Sequence, residues 1–213
     1  MDENVKFVVK KRVEKTIENL KKNNMKACFV EDEKGVIEKI KELLNDEDTV
    51  AVGGSMTLFE TGVIDLLRDG NYNFLDRYEE GLKPEDVKEI YRKSFSADAY
   101  FSSSNAITTE GELYNVDGRG NRVSAMIYGP DKVIVVAGVN KIVKDLDDAI
   151  KRNREIAAPA NTKRLDMNTP CKEVGYCMDC SSEQRICSDY VVMGKQLIKD
   201  RVHVIIVNKD LGY

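Results

Sequence analysis

The chain has 213 residues, 42% of them hydrophobic and 33% charged, enough apolar material for one buried core. Its 33 basic and 37 acidic side chains leave a net charge of −4, so there is no electrostatic reason to expect nucleic acid as a partner. No apolar run approaches the ~20 residues that span a bilayer, and the opening MDENVKFVVKKRVEK is charged from its second residue and lacks a signal core. The expectation is a cytoplasmic protein with no membrane partner, where clustered cysteines serve as metal ligands or redox groups more often than as disulfides.

In chain order, Val5, Val8, Val9, Val13, Ile17 and Leu20 recur at helical spacing and predict an amphipathic helix over 4–22. Its stripe could pair with a second subunit, making a homo-oligomer, or be used within one monomer. KACFV (26–30) reads as a strand, 34–44 as a helix and TVAVGG (49–54) as a buried strand running into glycines. A helix over 56–70 stops at Gly70, YNFLD is a brief strand, and Pro84 opens another helix. A strand over 97–107, a turn-rich hairpin over 108–122, and strands over 124–129 and 132–138 follow. The reading closes with a helix over 146–158, the cysteine segment, a helix near 189–199 and a strand over 203–208. Strands alternating with helices predict an α/β fold, an open sheet flanked by helices, made mixed by the adjacent strands at 124–138. The one break in composition falls between Pro159 and Pro170.

Two regions are dense in groups that can hold a ligand. Gly53, Gly54 and Ser55 stand at a strand-to-helix junction, where free backbone N–H groups and the hydroxyls of Ser55 and Thr57 can receive an anion. The plainer reading is a tight turn with Ser55 as helix cap, and Glu60 as a solvated helix carboxylate. The lysine of a P-loop and the spacing of the dinucleotide fingerprint are both missing. The second region, 102–130, follows a strand with Ser102, Ser103 and Ser104. It then crowds Asn105, Thr108, Thr109, Glu110, Asn115, Asp117, Asn121 and Arg122 among the turn residues Gly111, Gly118 and Gly120. Hydroxyls and amides at a strand end can orient a small polar ligand, and Arg122 can bind a carboxylate or phosphate, or pair with Asp117.

The segments GGSMTLFETG, ITTEGELYNVDGRGNR and IYGPDKVIVVAGVNKIVKDLDDA, in that order, resemble the lactate-utilisation (LUD) domain family, formerly DUF162, over nearly the whole chain. The resemblance implies a fold like that of ribose-5-phosphate isomerase, glucosamine-phosphate deaminase and coenzyme A transferases. It also implies a link to lactate oxidation and a redox partner protein carrying iron–sulfur centres. The matching positions are Gly53, Gly54, Ser55, Thr57 and Glu60; Thr108, Thr109, Glu110, Gly111, Asn115, Asp117, Gly118, Asn121 and Arg122; and Gly138, Asn140 and Lys141. By analogy with the transferases, whose nucleophile is a loop glutamate, Glu110 is the catalytic candidate and Glu112 its decoy.

Four of the five cysteines, Cys171, Cys177, Cys180 and Cys187, fall within one short segment. Four thiolates can hold a structural zinc or a 4Fe-4S iron–sulfur cluster. A single C-x-x-C does not make a zinc ribbon, and the uneven spacing suits a cluster held by one loop, with zinc and free or disulfide-bonded thiols as the alternatives. The segment is similar to the cysteine tail of one branch of the LUD family. Cys28, in a predicted strand, reads as a small apolar core residue. His203, the one histidine, stands at the start of the last strand and reads as structural. The expectation is one LUD-like domain over 1–213: an α/β body (1–160), a cysteine-rich metal segment (161–190) and a returning helix and strand (191–213). It would bind a small anionic metabolite where the 53–60 turn meets the 105–122 hairpin. The rival readings are a zinc-stabilised transferase or isomerase and a metabolite-sensing module.

Overall fold

The computed structural model describes residues 2–213. The chain opens with helix α1 (Glu3–Lys22), strand β1 (Lys26–Val30), helix α2 (Glu33–Leu43), strand β2 (Thr49–Val52), helices α3 (Met56–Glu60) and α4 (Val63–Asp69), strand β3 (Asn73–Leu75) and helix α5 (Pro84–Lys93). Strands β4 (Ala99–Ser102), β5 (Ala106–Thr108) and β6 (Leu113–Asp117), helix α6 (Asn121–Ile127) and strands β7 (Lys132–Gly138) and β8 (Ile142–Val143) come next. Helices α7 (Leu146–Arg152), α8 (Ala158–Arg164) and α9 (Pro170–Val174) and strands β9 (Asp189–Met193) and β10 (Val202–Val207) complete the order.

Six strands form an entirely parallel sheet in the order β1-β10-β7-β4-β2-β3. Burial on both faces explains their near-continuous apolar runs. Along β7, Val133, Val135 and Ala137 face one core with Val13 and Leu20 of α1, while Ile134 and Val136 face the other with Val36 and Ile40 of α2 and Val63, Ile64 and Leu67 of α4. The fold is therefore α/β, a mostly parallel sheet flanked by helices. Mixed pairing is confined to a second sheet, β8-β5-β6-β9, whose Ile107 and Leu113 join the α1-side core.

Six expectations are corrected. The strand expected at 124–129 is α6: Gly120 turns the chain at φ +71, and the Asp117 carboxylate accepts from the backbone N–H groups of Arg122 and Val123. That carboxylate caps a helix start, and it shows that Asp117-Gly118 leads into a helix and not across a hairpin. The hairpin turn lies between β5 and β6, at 109–112. The helix expected near 189–199 begins as β9, because β6 offers it an antiparallel edge, Leu113 opposite Met193, and this pairing outweighs local propensity. The single helix over 56–70 is broken by Gly62 at φ +70. The single strand over 97–107 divides between the two sheets at Ser103–Asn105. The helix from α7 does not stop near Pro159: a π-helical turn over Asn153–Ala157 carries it into α8.

Candidate functional site

Parallel strands leave their ligand crevice at the carboxyl ends, and here the loops after β2, β3, β4 and β7 converge on one pocket of about 350 Å³. Its wall takes Gly54 and Ser55 after β2, Arg77 after β3, Ser103, Ser104 and Asn105 after β4, and Lys141 after β7. The start of α6 adds Asp117, Gly118, Arg119, Asn121 and Arg122, α8 adds Asn161 and Arg164, and Ile186 comes from the cysteine segment. The turn at 53–60 and the segment 105–122 thus share one cavity.

Arg122 is buried and sits at the hub. Its Nη1 donates to Asn115 Oδ1 at 2.7 Å and to the Ser103 carbonyl at 3.1 Å, and its Nη2 donates to the Val116 carbonyl at 3.0 Å and to Asn105 Oδ1 at 3.3 Å. The guanidinium ties together the end of β4, β6 and α6, with its positive charge facing neutral acceptors. Gly53 makes room for this arrangement: a Cβ there would lie 2.7 Å from Arg122 Cγ and 3.0 Å from the Tyr100 hydroxyl. A Cβ on Gly54 would lie at an ordinary 3.5 Å from Arg77 Nη1.

Arg77 stacks its guanidinium on Tyr91 and Tyr78, 4.7 and 5.2 Å from the ring centroids, while its buried Nε finds no acceptor. Ser55 occupies the N-cap position of α3, but its side chain makes no capping bond and its buried Oγ is also unpartnered. Lys141 is 2% exposed, and its Nζ donates to Thr57 Oγ1 at 3.1 Å and Ser103 Oγ at 3.0 Å. Burial, then Arg152 and Arg122, pull this amine down to about 7, with Glu60 opposing.

Other residues named from the sequence lie behind or away from the pocket. Thr57 holds Lys141, and Asn115 holds Arg122. Asn140 Oδ1 accepts from the Leu211 N–H and Glu60 accepts from the Gly212 N–H at 2.7 Å, so both anchor the segment after β10. Thr108 bonds Glu112, and Thr109 Oγ1 donates to the Lys144 carbonyl. Glu110 is exposed and paired with Lys15 of α1 at 2.7 Å. Asn19 and Asn23 of α1 donate to the Thr109, Glu110 and Gly111 carbonyls, and a Cβ on Gly111 would lie 2.5 Å from the α1 backbone. The TTEGE turn therefore docks α1, and Glu110 is not part of the pocket wall. His203 is buried at the start of β10, its imidazole pulled down by burial, and borders a separate cavity with Cys28.

The LUD domain model matches residues 13–207. The chain belongs to the LUD domain family. Membership supports a role related to lactate utilisation. A DUF162 family protein from Deinococcus radiodurans is similar in fold, with a TM-score of 0.54 at 14% identity over 94% of this chain and 98% of that one. eIF2B delta from Chaetomium thermophilum gives 0.37 at 21% identity over 56% of this chain and 50% of that one. Ribose 5-phosphate isomerase from Plasmodium falciparum gives 0.32 at 13% identity over 53% of this chain and 52% of that one. No curated protein matches the chain. Among the described residues of this LUD protein, no helix is long and apolar enough to cross a membrane.

The LUD protein carries its cysteine segment along one side of the pocket. Cys171 is buried on α9, 3.4 Å from the hydroxyls of Thr162 and Thr169. Arg185 organises the rest, donating to the carbonyls of Cys180 and Cys187. Burial and the thiols of Cys177, Cys171 and Cys180 push Cys187 up to about 11. Four soft donors in one segment, Cys171 on α9 and the other three on the loop after it, have the chemistry a cluster or a zinc ion needs. Among the described residues, however, no three His, Cys, Asp or Glu side chains are grouped as a metal site, so binding would require the loop to draw its sulfurs together.

Sequence reasoning missed Arg77, Arg119 and Arg164 as pocket residues, and it named Lys141 without a role. Charge spread over four loops has no local pattern; only the sheet topology collects it.

Proposed function

We propose that this LUD-family protein binds a small anionic metabolite in the pocket at the carboxyl ends of β2, β4 and β7, in small-carboxylate metabolism related to lactate utilisation. One observation carries the reading. Ser55 Oγ and Arg77 Nε are buried without partners, and both belong to a wall holding Arg77, Arg119, Arg122, Arg164 and Lys141 against the single carboxylate of Asp117. An unpaired buried polar atom costs about 1–3 kcal/mol, and an anionic ligand removes that cost while neutralising clustered charge. Asp117 does not compete, because it is committed to backbone N–H groups of α6. Calorimetric titration with lactate, pyruvate and ribose 5-phosphate tests the reading. Binding that weakens in Arg77→Ala and Ser55→Ala supports it; absence of binding by all three anions overturns it.

The cysteine loop completes the reading. Cys171, Cys177, Cys180 and Cys187 would hold an iron–sulfur cluster, which supplies one-electron redox chemistry when bound. Ile186, next to Cys187, lines the pocket, so the loop adjoins the ligand site. Iron and acid-labile sulfide in anaerobically purified protein support the cluster; zinc alone makes the loop a structural clasp.

A further inference from the structure

We infer that Lys141 is an amine nucleophile that forms a Schiff base with the carbonyl carbon of a small anionic aldehyde or ketone held in this pocket. The inference rests on the anion-binding reading of the same cavity and adds what happens to the ligand there.

Three features of the geometry carry it. Lys141 is among the most deeply buried long side chains in the protein, yet it forms part of the pocket wall, and one of its Nζ partners, Ser103, lines the same pocket. As an ammonium Nζ has three donors, but its partners are two neutral hydroxyls, Thr57 Oγ1 and Ser103 Oγ. No carboxylate lies within ion-pair distance of it among the described residues, whereas Lys15 and Lys209 on the surface each have one. A lysine built to hold charge in a fold is normally given a counter-ion; one placed among arginines and hydroxyls is set up as a neutral amine. Its value near 7 agrees with that placement, since burial, Arg152 and Arg122 all disfavour the ammonium.

The chemistry balances within the site. The Nζ lone pair attacks the carbonyl carbon and the carbonyl π electrons move to oxygen, forming a carbinolamine. The carbinolamine loses its oxygen as water, which carries away both amine hydrogens and leaves a carbon–nitrogen double bond. Thr57 and Ser103, each a donor and an acceptor at about hydrogen-bond distance from Nζ, are placed to pass those protons to and from the departing oxygen. The arginines hold the carboxylate or phosphate of the same molecule, so that the carbonyl, not the anionic group, meets the amine.

Reductive trapping tests this directly. The whole protein is incubated with cyanoborohydride and either pyruvate, whose carbonyl adjoins a carboxylate, or ribose 5-phosphate, whose aldehyde lies at the far end of a phosphorylated sugar. Peptide mass mapping then locates any stable secondary amine, and calorimetry with the same two compounds measures binding without reductant. The expected result is one adduct, at Lys141, with one of the two probes, whose identity says which anionic group the arginines hold. Its loss in Lys141→Arg, with the far-UV circular dichroism unchanged, is the further expected result; should that variant fail to fold, the mapped position in the native protein decides alone. Binding with no adduct overturns the nucleophile and leaves the anion site standing. An adduct spread over surface lysines also overturns it, as does the absence of binding by both probes; the anion site itself falls only if lactate is not bound either.

Discussion

The Arg122 guanidinium and the Asn115 side chain meet at 2.7 Å in the buried interior between the pocket and the second sheet. This contact belongs to a set in which one arginine satisfies Ser103, Asn105, Asn115 and Val116 oxygens at once. Arg122→Met removes a donor from each of these buried oxygens, although Asn105 Oδ1 keeps the Val116 N–H and the Ser103 carbonyl keeps the Ser102 hydroxyl; the expected loss is about 3–5 kcal/mol of stability, read by urea unfolding. Arg122→Lys recovers only a part, because a single ammonium cannot reproduce the planar fork. Recovery to the native midpoint would show that charge alone matters at this position.

Lys141 should leave a pH signature in stability. Its folded value is lowered from 10.5 to about 7, so between these two values the unfolded chain binds the extra proton. Stability then rises with pH across that window, and the full penalty of the buried charge is felt below about 7. Lys141→Met removes the penalty. It should be more stable than the native protein at pH 6, by roughly 1–3 kcal/mol, and the difference should shrink toward pH 10. Equal midpoints at both pH values would contradict this.

The two adjacent glycines should respond differently to the same substitution. Gly53→Ala forces a Cβ against Arg122 Cγ and the Tyr100 hydroxyl, in a region where neither neighbour can withdraw, and should cost about 1–3 kcal/mol. Gly54→Ala meets only Arg77 Nη1 at 3.5 Å and should fold normally. Thermal unfolding of the pair separates the packing role of the first from the pocket position of the second.

Glu110 should behave as a surface residue that helps dock α1. Glu110→Gln breaks an exposed ion pair with Lys15, should change stability by less than ~1 kcal/mol, and should leave metabolite affinity unchanged. Gly111→Ala, next to it, should be far more damaging, since φ is +81 and the new Cβ would press on the backbone of Asn19 and Leu20. A loss of ligand affinity in Glu110→Gln would return this carboxylate to the site.

The sequence by itself determined what depends on short-range pattern. The runs TVAV, KVIVVAG and HVIIV read as strands, and their alternation with helices gave the α/β class; the all-parallel order of the main sheet is a finding of the structure. The ordered motifs pointed to the family, and the clustering of four cysteines in one segment was plain. Tertiary structure decided the rest, where two local readings were close in energy or where distance along the chain hid a partner. Residues 121–127 became a helix because Asp117 caps them, and 189–193 became a strand because β6 offered an edge. Glu110 and Arg122 look alike in sequence, as charged residues in one polar tract, yet the first turns outward to α1 and the second inward to the pocket. Lys141 lies 84 residues from Thr57 and 38 from Ser103. Only the parallel order of β2, β4 and β7 brings their following loops to one end of the sheet, so the sequence could name Lys141 as a family position but could not place its amine.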